Sequence, residues 1–252
     1  MKVFNKLRHF EFVEQIIRCL EQCGQKIMDI YGNLNVDIQI KEDQSPLTQA
    51  DLVSHELINE CLKSTNYPVI SEESDNIYTK ASKYWLVDPL DGTKEFINKN
   101  GEFTVNIALM ENRYPIAGYV YSPTSKSLYV GGINKNSFKI QDAVLEQIQT
   151  SPVADPIRIV ASRSHLNEET KKYISQFPRY ELLQSGSSIK LCMVAEGKAD
   201  LYPRFAPTSE WDTAAAQAVV EGAGGTVQDT QGERLIYQKD HILNPHFIVK
   251  GN

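Results

Sequence analysis

Residues 85–96 read WLVDPLDGTKEF. An apolar run through Val87 delivers two carboxylates three residues apart, Asp88 and Asp91, into Gly92 and Thr93, the pattern of a buried strand that meets a tight turn. Two carboxylates this close repel one another and tend to share a proton unless a cation lies between them, and hard oxygen ligands of this kind suit Mg2+ or Mn2+. Gly92 lets the backbone approach a ligand and Thr93 adds a hydroxyl. The amides after Asp91 open a helical turn whose free N–H groups can hold a phosphate. The competing reading of the stretch alone is a solvated Asp-Pro turn without chemistry.

Towards the N-terminus, residues 67–70 form a strand-like run that stops in SEES and puts Glu72 and Glu73 at a second acidic edge with the same focus. Before it, Thr48 is placed to cap a helix through Leu62, preceded by the polar loop KEDQSPLTQAD and a short alternating strand over residues 36–40. Asp51 falls in the first turn of that helix, where the helix dipole by itself accounts for a carboxylate, and His55 reads as a surface position. Earlier still, Phe10, Val13, Ile16, Ile17, Leu20, Ile27 and Ile30 recur at steps of three and four, predicting one long helix over residues 7–31 that Gly32 ends. Cys19 and Cys23 lie four apart on it and read as core residues.

Towards the C-terminus, residues 103–110, 114–121 and 127–131 predict an antiparallel meander that serves as scaffold. The polar residues 134–150 and the 152–156 segment mark the boundary between two halves, residues 1–152 and 153–252. The second half alternates strands near 157–161, 180–183 and 199–202 with helices near 168–177, 188–196 and 213–221, as βα units with a partly parallel sheet would. GAGG at 222–225 stops the last helix, and strands around residue 226 and over 247–249 close the sheet. Asp212 begins a helix, where capping alone explains it. The loops ASRSH (161–165) and SGSSIK (185–190), together with Arg204, place Arg163, His165, Ser187 and Lys190 at the ends of neighbouring βα units, where α/β sheets collect ligands.

Composition limits the partners. The 252 residues are 41% hydrophobic and 23% charged, enough for a sizeable core, and the formal net charge of -6 argues against nucleic-acid polymers held through a broad basic surface. An anionic ligand therefore needs local cations. The four cysteines, at 19, 23, 61 and 192, contain no CxxC pair, which suggests neither a zinc knuckle nor a disulfide framework and fits a reducing compartment. The N-terminus is charged throughout and no apolar run reaches the length of a transmembrane helix, about 18 residues, so the sequence reads as cytoplasmic.

Taken together, SEES, WLVDPLDGTKEF and EWDTAAAQAVVEGAGG resemble the inositol monophosphatase family of metal-dependent, lithium-sensitive phosphatases, in matching order across most of the chain. Further stretches, SPLTQAD, DGTKEFINKNGEFTVNIAL, ASRSH, GSSIKLC and ADLYPR, resemble its CysQ-type branch of 3'(2'),5'-bisphosphate nucleotidases, which carry KEF after DGT where inositol monophosphatases usually carry TNF. The resemblance implies an α/β fold, a layered α/β/α/β/α sandwich, and two or three Mg2+ ions, with Mn2+ as a substitute. Glu72, Asp88 and the Leu90 carbonyl would share one ion, and Asp88, Asp91 and Asp212 a second. It also implies that Asp51 and Thr93 orient the attacking water, that Glu72 belongs to the catalytic set, and that the Gly92 and Thr93 amides meet the phosphate. His165, Ser187, Lys190 and Arg204 then fall where that branch contacts its nucleotide, with Glu72, Leu90, Asp91 and Asp212 bordering it. The implied substrate is adenosine 3',5'-bisphosphate, with 3'-phosphoadenylyl sulfate as a second one, in sulfur assimilation. The implied assembly is a monomer or homodimer, and the branch includes members assigned to the inner face of the cell membrane. The runner-up within the fold is a phosphatase for inositol or other sugar phosphates. A haloacid-dehalogenase mechanism is disfavoured, since its aspartates stand two rather than three residues apart. A catalytically silent metal-binding module is the reading from another class.

Overall fold

The computed structural model describes residues 6–33, 38–41, 46–75, 78–163 and 166–252. The core of the first half is a seven-stranded sheet in the order β3-β4-β5-β6-β7-β8-β9. Its strands are β3 (Val69–Ser71), β4 (Lys83–Asp91), β5 (Thr104–Glu111), β6 (Tyr114–Ser122), β7 (Ser127–Gly131), β8 (Ser137–Gln141) and β9 (Val144–Ile148). The meander extends two strands further than its sequence suggests. Gln141, Asp142, Ala143 and Val144 form a tight hairpin, with Asp142 and Ala143 at positive φ, so the polar 134–150 stretch is a two-stranded extension of the sheet and not a linker.

Both faces of this sheet are covered, which is why its strands read as nearly continuous apolar runs. On β4, Trp85 and Val87 point one way, into a cluster with α1 (Val13–Tyr31) and α2 (Gln49–Leu62), whereas Tyr84 and Leu86 point the other way. That second face meets α5 (Ile189–Ala195) and α6 (Glu210–Gly222), whose alanines allow close approach. Gly118 on β6 is required there, because a Cβ on it would lie 2.0 Å from the Ala215 carbonyl oxygen. Beyond α5 and α6 lies a five-stranded sheet, order β11-β10-β12-β14-β13, made of β10 (Ile157–Ser162), β11 (Tyr180–Ser185), β12 (Leu201–Arg204), β13 (Thr226–Asp229) and β14 (Phe247–Lys250). β10 is parallel to β11 and β12, and β14 runs antiparallel to β12 and β13. Ile174 of α4 (Glu168–Ile174) closes the outer face over Ile159, Ala161 and Leu201. The result is the expected α/β/α/β/α sandwich.

Three local readings change. The first helix starts at Val13 instead of residue 7, since Phe12 sits in the left-handed region at φ 57, although Leu7 and Phe10 are still buried. The short strand before the Thr48 cap is β1 (Ile38–Ile40), an exposed ribbon paired antiparallel with β2 (Pro46–Thr48); residues 36 and 37 lie outside the described residues. The apolar strand does not end at Val87. β4 continues through Asp91, with a bulge against β5 between Asp88 and Asp91 that turns both carboxylates towards one cavity. No helix among the described residues is long and apolar enough to cross a membrane.

Candidate active site

Sheet register brings the first two acids together. β3 and β4 are parallel with Ser71 opposite Val87, so the next residues, Glu72 and Asp88, leave the sheet side by side, and Glu72 N–H donates to the Val87 carbonyl at 3.1 Å. The N-terminus of α6 adds Asp212. Carboxylate oxygens of Glu72, Asp88 and Asp212 all lie within 4.8 Å of one another. Asp91 lines the same cavity but is not one of that trio; its Oδ2 accepts from the Ser188 N–H at 2.5 Å and from Asn106 Nδ2 at 3.4 Å.

Asp51 and Asp212 occupy equivalent positions in two different helices. Each is the third residue of its helix, and each accepts the backbone N–H of the capping residue, Thr48 or Ser209, at 2.8 Å in a reciprocal capping box. Both carboxylates thus close a capping box, Asp51 where the sequence reading needs only the helix dipole, and Asp212 also lines the cavity. Asp51 is 2% exposed: its Oδ2 is held by the Thr48 N–H and hydroxyl, the latter at 2.6 Å, which leaves Oδ1 to the Thr93 hydroxyl at 3.1 Å. The same hydroxyl lies 3.2 Å from the Leu90 carbonyl. Gly92 adopts φ 93 at the start of α3 (Thr93–Ile97), and a Cβ there would come within 3.1 Å of the Glu102 carbonyl oxygen, so glycine is needed for both torsion and space.

The electrostatics are one-sided. Among the described residues the Asp88 carboxylate accepts one hydrogen bond, from the Leu90 N–H at 3.0 Å, while Glu72, Asp91 and Asp212 stand around it. Burial first, and those neighbours second, push its carboxyl well above the ordinary range. Asp212 is raised for the same reasons. Asp91 is pushed up to about 6 by burial, in spite of Lys190 and the Ser188 N–H. Asp51 is also raised, chiefly by burial. A buried Asp88 with one donor among the described residues, set among half-buried Glu72, Asp91 and Asp212 and offering only hard oxygen atoms, fits one or more small divalent cations.

Two cations line the same cavity, which measures about 410 Å3. Lys190, at 5% exposure on α5, donates to the Ser187 carbonyl at 2.5 Å, and burial lowers its ammonium to about 8. Arg204 at the end of β12 donates to the carbonyls of Ala206 and Pro207. Ser187 lines the cavity too, at φ 45. Arg163, grouped with these on sequence, instead makes a two-pronged ion pair with Glu102 at 3.0 and 2.8 Å. His165 lies outside the described residues.

Four neighbours escape a reading of the sequence alone. Lys41, next to β1, reaches Glu72 at 2.9 Å and Glu73 at 2.5 Å; burial opposes its charge, but the two glutamates outweigh burial and raise its ammonium. Nothing in KEDQ marks it, because the pair forms only when the ribbon folds over the β3 end. His55 is half-buried, not a surface position, and its Nδ1 lies 2.9 Å from the Ser71 hydroxyl. Glu95, 5% exposed, also borders the cavity. Asn106 had a signal: a lone amide inside FTVNIAL must find buried partners, and it meets Asp91 and the Ser188 hydroxyl.

Known proteins share this arrangement of chain. The model of the inositol monophosphatase family matches residues 11–250. The chain is 44% identical over 244 residues to the 3'(2'),5'-bisphosphate nucleotidase CysQ of Salmonella typhimurium, covering 94% of this chain and 98% of that protein. It is 43% identical to the Escherichia coli K12 protein of the same name over the same extent. The crystal structure of CysQ from Bacteroides thetaiotaomicron, described as a bacterial member of the inositol monophosphatase family, superposes with a TM-score of 0.86 at 42% identity, covering 96% of this chain and 98% of that one.

Proposed function

This chain belongs to the inositol monophosphatase family, and from that premise we propose that it is a Mg2+-dependent 3'(2'),5'-bisphosphate nucleotidase that hydrolyses the 3'-phosphate of adenosine 3',5'-bisphosphate to AMP and phosphate. The observation that carries the reading is a single cavity that holds a carboxylate cluster around the buried, under-compensated Asp88 together with two cations, Lys190 and Arg204. A nucleoside bisphosphate offers one phosphate to the site of the metal-binding acids and a second to Lys190 and Arg204. Residues 1–152 supply most of the acidic cluster, and residues 153–252 supply Asp212 and the cations.

Glu72, Asp88, Asp91, Asp212 and the Leu90 carbonyl would hold the Mg2+, with Mn2+ as a substitute. The bound ions supply charge neutralisation at the phosphate and acidity for the attacking water. The chain's own residues do the positioning. Asp51 is pinned through one oxygen by Thr48, and its other oxygen accepts the Thr93 hydroxyl hydrogen, so the Thr93 lone pairs face outwards to accept from a water. With its carboxyl raised by burial, Asp51 can take the proton passed through Thr93. The Gly92 and Thr93 amides, held open by the glycine torsion, donate to the phosphate oxygens. Lys190 and Arg204 meet the remote phosphate. The same site accommodates 3'-phosphoadenylyl sulfate, whose sulfate extends the 5'-side, which would connect the enzyme to sulfur assimilation.

The test is a competition at equal concentration among adenosine 3',5'-bisphosphate, inositol 1-phosphate and fructose 1,6-bisphosphate, with and without Mg2+. The expected result is Mg2+-dependent release of phosphate from the adenosine bisphosphate with the highest kcat/KM, inhibited by lithium in the millimolar range. Comparable kcat/KM for inositol 1-phosphate would move the assignment to the sugar-phosphate branch.

A further inference from the structure

Three of the four cysteines form a cluster that phosphate chemistry does not use. Cys19 and Cys23 stand one turn apart on α1, and Cys61 lies in the last turn of α2 against them. The Cys19 side chain reaches the Leu57 carbonyl, one turn before Cys61, and the Cys61 side chain reaches the Gln15 carbonyl, one turn before Cys19, which brings these two thiols together between the helices. Each sulfur also touches the neighbouring helix: Cys19 Sγ lies 3.9 Å from the Leu57 carbonyl, Cys23 Sγ 4.0 Å from that of Ser54, and Cys61 Sγ 3.7 Å from that of Gln15. A cavity of about 490 Å3 opens over Cys19 and Cys61, rimmed by Glu14, Arg18 and Glu60. Cys19 is 4% exposed, Cys23 fully buried and Cys61 half-buried, so the most accessible sulfur of the cluster is the one on α2.

We propose that Cys61 and Cys19 form a dithiol exchange site in which Cys61 captures an incoming low-molecular-weight disulfide and Cys19 resolves it, leaving a Cys19–Cys61 disulfide between α1 and α2. The Cys61 thiolate attacks one sulfur of RSSR, forming a Cys61–SR bond and releasing RS⁻, which takes a proton. Cys19 then gives up its proton to solvent and attacks the Cys61 sulfur, breaking the Cys61–SR bond and releasing a second RS⁻. Two protein thiols are oxidised and one RSSR is reduced to two RSH. The environment assigns the roles. Cys61 is half-buried where Cys19 is 4% exposed, and proximity to Cys19 lowers the Cys61 thiol against the effect of burial, whereas the neighbouring thiols and burial raise that of Cys19. Cys192 on α5 is buried and its thiol is raised by that burial, which makes it an internal control.

A lowered thiol carries more thiolate than an ordinary cysteine at neutral pH, and its lower basicity offsets part of that gain, so the net advantage is modest and accessibility adds to it. The experiment treats the native, reduced protein at pH 7 with oxidised glutathione and follows it by mass spectrometry with peptide mapping. A loss of two hydrogens and a single linked peptide pair, Cys19–Cys61, with Cys192 free, is the expected result. In Cys19→Ser the reaction should stop at a glutathione adduct on Cys61, and in Cys61→Ser neither Cys19 nor Cys23 should react. A Cys19–Cys23 link, a first adduct on Cys19, or Cys61 reacting no faster than Cys192 in the wild-type protein overturns the proposal. These wild-type outcomes decide it even where a serine variant fails to fold.

Discussion

Asp88 and Asp200 are both buried, at 1% and 2% exposure, and folding treats them in opposite ways. Asp200 accepts from the Ala154 N–H at 3.3 Å, the Arg158 N–H at 2.7 Å and the Arg158 guanidinium at 3.1 and 2.6 Å. Burial alone would raise its carboxyl, yet these donors, Arg158 foremost, hold it below the ordinary value. Asp88 has one backbone donor and three acidic neighbours, and sits far above. An aspartate that serves the fold arrives with its donors; one kept short of donors at a strand bulge, facing a cavity, is held ready for something that comes from outside.

Substitution at Asp88 should give the largest effect. Asp88→Asn is expected to lower kcat by about a thousandfold or more, since the loss of a shared cation ligand removes several kcal/mol from the transition state. In metal-free buffer its thermal midpoint should equal or exceed that of the wild type, because a buried, repelled charge has gone. Near-normal turnover at saturating Mg2+, or a clear loss of stability without metal, would break the contrast.

Next come Lys190→Ala and Arg204→Ala. Each charge-assisted contact to a remote phosphate is worth about 1.5 to 3 kcal/mol, so kcat/KM for adenosine 3',5'-bisphosphate should fall about ten- to hundredfold. The poorer turnover of inositol 1-phosphate, which has no second phosphate, should stay within about twofold. Equal losses on both substrates would mean that these cations serve the acidic cluster or the fold.

Asp200→Asn should leave kcat/KM unchanged and destabilise the protein by about 3 kcal/mol, roughly 6–12 °C in Tm for a chain of this size, because Arg158 keeps its charge and loses its partner. Denaturant or thermal unfolding measures it. The smallest effect is in pH. Because the folded pKa of Asp200 lies below its unfolded value near 3.9, its contribution is fully present above about pH 4 and is lost as pH falls through the folded value. Wild type and Asp200→Asn should therefore differ in stability at pH 7 and converge at the acid end. A constant gap across that range would show that the ion pair is not the source.

Much of this molecule was legible in the sequence for reasons of local chemistry. Apolar periodicity and turn residues located most strands and helices, and Asp88, Asp91, Gly92 and Thr93 declared themselves because a strand, two acids and a turn are contiguous in WLVDPLDGT. The ordered SEES and EWDTAAAQAVV stretches tied Glu72 and Asp212 to them through family resemblance. What the sequence could not state was compensation. That Asp88 has a single donor while Asp200 has several, that Lys41 lands on Glu72, that Arg163 is taken up by Glu102 while Lys190 and Arg204 line the cavity, and that Cys61 meets Cys19 all turn on contacts between residues 31 to 61 positions apart, made or missing. Residue type fixes what a side chain can do, and one-dimensional spacing fixes which face of an element it occupies. Whether a charge is neutralised, a thiol activated or a cation left for a ligand depends on donor distance and burial, and only the packed sheets and helices set those.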